Sequence, residues 1–116
     1  MQVQAITKNV RMSAQKMREV VRQIQGLPAA QAHAILQAVP RKGARVVAKT
    51  LKSAIANAED LKEHKQDYKE MRTDRLFIKE AVAQTASTLR RFTPKARGSA
   101  GPILKRSCHI KIVLSD

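Results

Sequence analysis

The sequence predicts an α+β fold in which three helices separate an N-terminal strand from two C-terminal strands, with a long β-ribbon projecting from between those two. Three observations predict it. Apolar residues recur at helical spacing from Ala14 to Ala58. Near the C-terminus Cys108, Ile110, Ile112 and Leu114 alternate with Ser107, His109, Lys111 and Val113, the pattern of a half-buried strand. Between them, about twenty residues from Ala83 to Leu104 hold Thr, Ser, Gly, Pro and basic residues, with little to build a core, a length that is uncommon for a structureless loop.

Each element has its own signal. Residues 2–10 alternate loosely, with Val3 and Ala5 on one side, and read as a strand. Ser13 offers a helix N-cap, Met17, Val20, Val21 and Ile24 follow, and Gly26 stands where a C-terminal cap belongs, so a first helix is expected over about 13–25. Pro28 suits the first turn of a second helix, whose apolar face is Ala32, Ile35, Leu36 and Val39 and which Pro40 stops. The third helix, about 41–62, pairs an apolar stripe of Ala44, Val47, Ala48, Leu51, Ile55 and Ala58 with a basic stripe of Arg41, Arg45, Lys49 and Lys52. Residues 62–75 are charged and unpatterned, a helix end and loop. Residues 75–82 read as a strand. The ribbon, an arm over about 83–106, should turn near 93–98, where Pro94, Gly98 and Gly101 fit a tip. It is expected to project because neither face carries a hydrophobic side. The whole chain, 1–116, reads as one domain.

Charge points to the class of partner. The 116 residues carry 23 Lys and Arg against 9 Asp and Glu, a net +14. Residues 1–58 hold ten bases and one acid, Glu19; residues 59–80 hold seven acids and six bases; residues 81–115 hold seven bases and no acid. Such a surplus repels itself and calls for a polyanion. No stretch is apolar for the ~20 residues of a membrane span. The N-terminus has no signal-peptide pattern. A lone Cys108, read as a small core residue, fits a reducing compartment without structural disulfides. His33, His64 and His109 are scattered, so no metal site is expected. No Walker loop, dinucleotide motif or nucleophile elbow occurs, so no cofactor, small-molecule substrate or enzymatic activity is expected.

The candidate RNA contacts follow from the basic territories. On the body they are Lys8, Arg11, Ser13, Lys16, Arg18, Arg22, Lys42, Arg45 and Lys49. On the arm they are Arg90, Arg91, Phe92, Lys95, Arg97, Gly98, Lys105 and Arg106, and on the return strand His109. Guanidinium groups pair bidentately with phosphate and stack on bases. Phe92 can stack on a base or pack against the ribbon. A charge stripe is more often a solvated face, but these stripes lack acids at matching steps. One rival is a free-standing basic nucleic-acid-binding regulator, which needs a recognition helix or dimer seam. Another is a membrane-surface protein, but the apolar face of the third helix is rich in Ala.

The run from Arg11 to Gly26, the run Leu51-Lys-Ser-Ala-Ile-Ala-Asn-Ala-Glu59, the run Leu89-Arg-Arg-Phe-Thr-Pro-Lys-Ala-Arg-Gly98 and the run Ile103-Leu-Lys-Arg-Ser-Cys-His-Ile110 together resemble the bacterial-type large-subunit ribosomal protein family numbered twenty-two. The resemblance implies three helices packed on a small three-stranded antiparallel sheet, with a long protruding hairpin. It implies a place in the large subunit of a cytoplasmic ribosome, or of an organellar one. The implied partners are large-subunit ribosomal RNA, neighbouring ribosomal proteins and, at the exit tunnel, the nascent chain; no membrane is involved. A part in early subunit assembly is implied too. Arg90, Arg91, Pro94, Lys95, Ala96 and Arg97 would lie at the tunnel tip. Three departures stand out: Ala83-Gln-Thr-Ala-Ser87 replaces the family's acidic-Gly-Pro turn, Cys108 replaces its usual Ser, and residues 60–74 are charged in an unusual way.

Overall fold

The computed structural model describes residues 1–116. Val3, Ala5, Ile78, Ala81, Ala83 and the even positions of 108–114 are all buried on one face of a sheet. That sheet has three antiparallel strands in the order β1-β5-β2: β1 is Gln2–Val10, β2 is Phe77–Thr85 and β5, in the centre, is Cys108–Ser115. Val113 is buried although it lies on the other face, where Gln4 and Glu80 flank it in the register.

Three helices cover the buried face. α1, Ala14–Val21, opens at Ser13, whose hydroxyl accepts the Lys16 N–H at 3.4 Å. It ends earlier than the spacing predicts. After Val21 the backbone tightens to three-residue steps (Gln23 N–H to Val20 O, Ile24 N–H to Val21 O), so Ile24 stays in the core outside the α-helix. Gly26 then takes φ +81°, the left-handed conformation that glycine adopts without a Cβ penalty. α2, Ala29–Ala38, begins one residue after Pro28, which caps the helix from an extended conformation instead of forming its first turn. The linker between α1 and α2 bonds the outer edge of β2: Gly26 N–H to Ile78 O, Ile78 N–H to Leu27 O and Ala29 N–H to Leu76 O. An edge that would otherwise present free backbone groups is thereby paired.

α3, Lys42–His64, buries Gly43, Ala44, Val47, Thr50, Leu51, Ala54 and Ala58. Ala48 and Ile55 are only partly buried, because the helix packs against both β1 and α2 and its buried face rotates toward Thr50 and Ala54. A Cβ on Gly43 would stand 3.0 Å from the Met17 sulfur, so glycine sets how closely α3 approaches α1. Thr50 is the one buried polar side chain. Its hydroxyl donates to Val46 O at 3.0 Å and therefore accepts from the Thr7 hydroxyl at 2.7 Å, tying α3 to β1 with no polar atom left unpaired.

Residues 66–68 and 73–75 form single 3-10 turns. The second of these displaces the start of β2 to Phe77, and pairing with β5 carries it on to Thr85.

Beyond β2 the chain leaves the body. β3, Leu89–Pro94, and β4, Ala100–Lys105, pair only with each other. The molecule measures 67 × 28 × 16 Å and has a radius of gyration of 17.7 Å. A compact domain of this length would have about 13 Å. One expectation fails here. The register (Arg90 opposite Leu104, Phe92 opposite Pro102, Pro94 opposite Ala100) gives the hairpin one largely apolar face. The alternation is short and split between two strands, so it emerges only once the turn fixes the pairing.

Candidate RNA-binding surface

The hairpin is fastened to the body at its root. The Arg11 guanidinium (Nη1) donates to Arg106 O at 2.7 Å, and Arg18 Nε donates to Ala83 O at 3.1 Å. The Ser107 hydroxyl donates to Ser87 O at 2.6 Å, and Ala86 N–H donates to Ser107 O at 3.1 Å. Arg11 and Arg18, expected as RNA contacts, thus also brace the point where the chain leaves and re-enters the sheet. A guanidinium with five donors can hold a carbonyl and still offer N–H groups outward.

Beside this root, Arg11, Lys16, Lys42 and Arg106 converge on a cleft of about 540 Å³ with Ser13 and Leu104. Lys42 Nζ lies 3.4 Å from Arg11 O, so the N-terminus of α3 is drawn to the same place. No acid lines the cleft. Glu19, the one acid in the first 58 residues, is occupied elsewhere by Arg41. Four cations around one opening, with no internal counter-charge, suit an anion such as a backbone phosphate.

The remaining candidates divide by location. Arg45 lines a separate depression with Leu36, Val39 and Pro40. Lys49, Lys8 and Arg22 are exposed on α3, on β1 and just past α1. His109 is half-buried, and its Nδ1 accepts the Asn9 N–H at 3.0 Å. Asn9 has φ +57° where β1 bulges against β5. That bond leaves Nε2 as the protonated nitrogen of the neutral ring, so His109 fixes the bulge from one side and offers one donor on the other.

Arg90, Arg91, Phe92, Pro94, Lys95, Ala96, Arg97, Gly98, Lys105 and Arg106 are all exposed on the arm. At its tip Lys95 N–H donates to Ser99 O at 2.7 Å, and the Ser99 hydroxyl donates to Ala96 O at 2.8 Å. Arg97 and Gly98 both take positive φ, 61° and 71°. For an L-residue such as Arg97 that costs about 1 kcal/mol. The Lys95 stem folds over Gly101, where an added Cβ would stand 2.6 Å from Lys95 Cε. Lys95 therefore packs as well as carrying charge. Sequence reasoning missed two features: this packing, and the apolar hairpin face that adds Pro94, Ala100, Pro102 and Leu104 to Phe92. The recurrence of Phe92 and Pro94 at a two-residue step was the signal available for the second.

Burial pushes the Cys108 thiol above its ordinary value, and the nearby charge of Arg18 partly offsets this. No three His, Cys, Asp or Glu side chains come together as a metal site, and no helix is long and apolar enough to cross a membrane.

Residues 5–115 match the family model for ribosomal protein L22p/L17e. The chain is 46% identical over 116 residues to the large ribosomal subunit protein uL22 of Akkermansia muciniphila, covering all of this chain and 97% of that protein. It is 47% identical over 116 residues to the protein of the same name from Opitutus terrae, covering all of this chain and 96% of the relative. For that of Chloroflexus aggregans the identity is 45% over the same span, again with 96% of the relative covered.

Proposed function

The chain belongs to the ribosomal protein L22p/L17e family, and from that membership we propose that the cleft at the hairpin root and the hairpin strands hold ribosomal RNA while the tip reaches the path of the growing polypeptide. It is a bacterial-type, non-catalytic constituent of the large ribosomal subunit, cytoplasmic in that assembly. Ribosomal RNA and other ribosomal proteins are its partners.

The residue assignment rests on one observation: an arm without a single acid stands outside the body, and four cations converge at its root. Arg11, Lys16, Lys42 and Arg106 would take phosphates in the cleft. Arg22, Arg45, Lys49 and Lys8 would extend this along the body, and the free Nε2 of His109 would add a donor. Arg90, Arg91, Lys105 and Arg97 would meet RNA along the arm. A two-stranded ribbon is marginal alone in water, so RNA folding around it would hold it in place. An arm inserted between RNA segments links them, which is the physical basis for a part in subunit assembly. Small residues at the tip, Ala96, Gly98, Ser99 and Ala100, suit a narrow passage shared with the nascent chain.

Sedimentation of a lysate through a sucrose gradient in low and then high salt tests this reading. The full chain should run with the large subunit and resist moderate salt. A variant lacking residues 88–101 should keep a folded body but release at lower salt. That deletion removes Arg90, Arg91, Lys95 and Arg97, so the slope of log affinity for RNA against log salt should fall by about 3 to 4. A full chain that stays at the top of the gradient in low salt would defeat the proposal and favour a free nucleic-acid-binding regulator.

A further inference from the structure

We propose that the Phe92 face of the hairpin is a stacking site for an unpaired nucleobase, a contact distinct from the phosphate contacts of the basic side chains. The inference rests on the reading that this chain binds ribosomal RNA and specifies how the arm does so. Pairing places Arg90, Phe92, Pro94, Ala100, Pro102 and Leu104 on one face. Phe92 is 78% exposed and Leu104 46%, so the ring neither lies down on Pro102 opposite it nor meets the body. Of the seven large apolar side chains left exposed on the molecule, four (Leu89, Phe92, Ile103 and Leu104) are in the hairpin.

The surrounding charge selects the occupant. Seven bases and no acid lie in residues 81–115, so whatever covers Phe92 must also tolerate Arg90, Arg91, Lys95 and Arg97. An apolar protein patch would leave those cations without partners. RNA supplies a flat apolar base face and anionic phosphates in one molecule, and stacking on an aromatic ring tolerates any base. Paired RNA hides its base faces within the helix, so the ligand is a base in a loop, bulge or end. Arg90 and Phe92 are two residues apart on one strand, about 6.6 Å at 3.3 Å per residue. That matches the room one base needs between two planar groups, about twice the 3.4 Å rise per nucleotide of a stack.

The chain contains no tryptophan, so Phe92→Trp in the full-length protein introduces a fluorophore that reports this site alone. Naked large-subunit ribosomal RNA should quench its emission, and a fully paired RNA duplex should not. Phe92→Ala and Phe92→Leu should both lower affinity for the ribosomal RNA, by about 5- to 150-fold. Neither should change the salt slope, because no charge is lost. Unchanged Trp emission on binding, with Phe92→Ala binding as the parent does, would mean that the arm binds through phosphates alone; stacking is then wrong and the ribosomal reading stands. Emission that ignores naked RNA but shifts in the assembled subunit would give the face to a protein neighbour and overturn the proposal. Failure of the unaltered chain to bind the RNA would remove the reading beneath it.

Discussion

The body and the hairpin of this protein treat apolar residues in opposite ways. In the body, 24 buried apolar side chains from the helices, the three-stranded sheet and the segments between them (Ile24, Met71 and Leu76) join in one core, with Met17, Leu51, Ile78, Ile110, Ile112 and Leu114 almost fully buried. In the hairpin only Gly101 is buried, beneath the Lys95 stem, while Leu89, Phe92, Ile103 and Leu104 face solvent. The first pattern makes structure from within the chain. The second leaves apolar area and six cations, Arg90 to Arg106, for something outside it. One polypeptide thus holds a scaffold that buries its apolar side chains and an arm that leaves them exposed. The join between them, at Arg11, Arg18 and Ser107, carries the arm's position into the body.

Truncating one apolar side chain on each side of that divide gives the widest contrast. Leu51→Ala removes a fully buried side chain from α3 at the centre of the core, and it should cost about 2–5 kcal/mol of unfolding free energy. Phe92→Ala should change stability by about 0.5 kcal/mol or less, as expected for an exposed side chain that packs on nothing. Urea denaturation of both variants measures the difference. A comparable loss in Phe92→Ala would mean that the hairpin contributes to the core after all.

The join can be probed more finely. Arg18→Met keeps the length of the side chain but removes the donor to Ala83 O, at a cost of about 1 kcal/mol. The effect should be local. Hydrogen exchange of the Ala86 N–H, which donates to Ser107 O at the hairpin root, should accelerate, while the amides of α3 keep their protection. Acceleration spread evenly over α3 would show that Arg18 supports the whole body and not the root.

The same division explains what could be read from the sequence. Helices and central strand were legible because burial imposes a period: Met17, Val20, Val21 and Ile24, or Cys108, Ile110, Ile112 and Leu114, have one side to hide. Their ends were less legible, because local bonding decides them. The three-residue steps after Val21 and the 3-10 turn at Thr73–Arg75 have no apolar signature. The basic residues of the candidate surface were legible from charge, but not their grouping. Nothing in the sequence places Arg106 beside Lys16 and Lys42, since that contact depends on how α1, α3 and the hairpin root meet. The apolar face of the arm depends on which residue pairs with which, and hence on the five-residue turn between Pro94 and Ala100.

Cys108 brings the contrast down to a single atom. Its side chain is sealed under the helices on the inner face of β5, so a thiol reagent should modify it only at the rate of global unfolding. Burial raises its pKa in the folded state, which favours the neutral thiol. The folded chain therefore holds this proton more tightly than the unfolded chain does. The associated stability is fully present below the ordinary thiol value of 9.0 and is lost as pH rises from there through the folded value. Cys108→Ala should lack that alkaline decline. Arg18→Met should leave its onset in place but carry it further, to a larger loss, because the positive charge of Arg18 partly offsets the rise of the folded thiol's pKa. Denaturation midpoints of the three proteins between pH 7 and 10.5 test both points, and identical pH dependences would mean that the thiol has the same pKa in the folded and unfolded chain. No such dependence should attach to Phe92 or to the Ser107 bonds at the hairpin root, whose stability effects should be the same at pH 7 and pH 9.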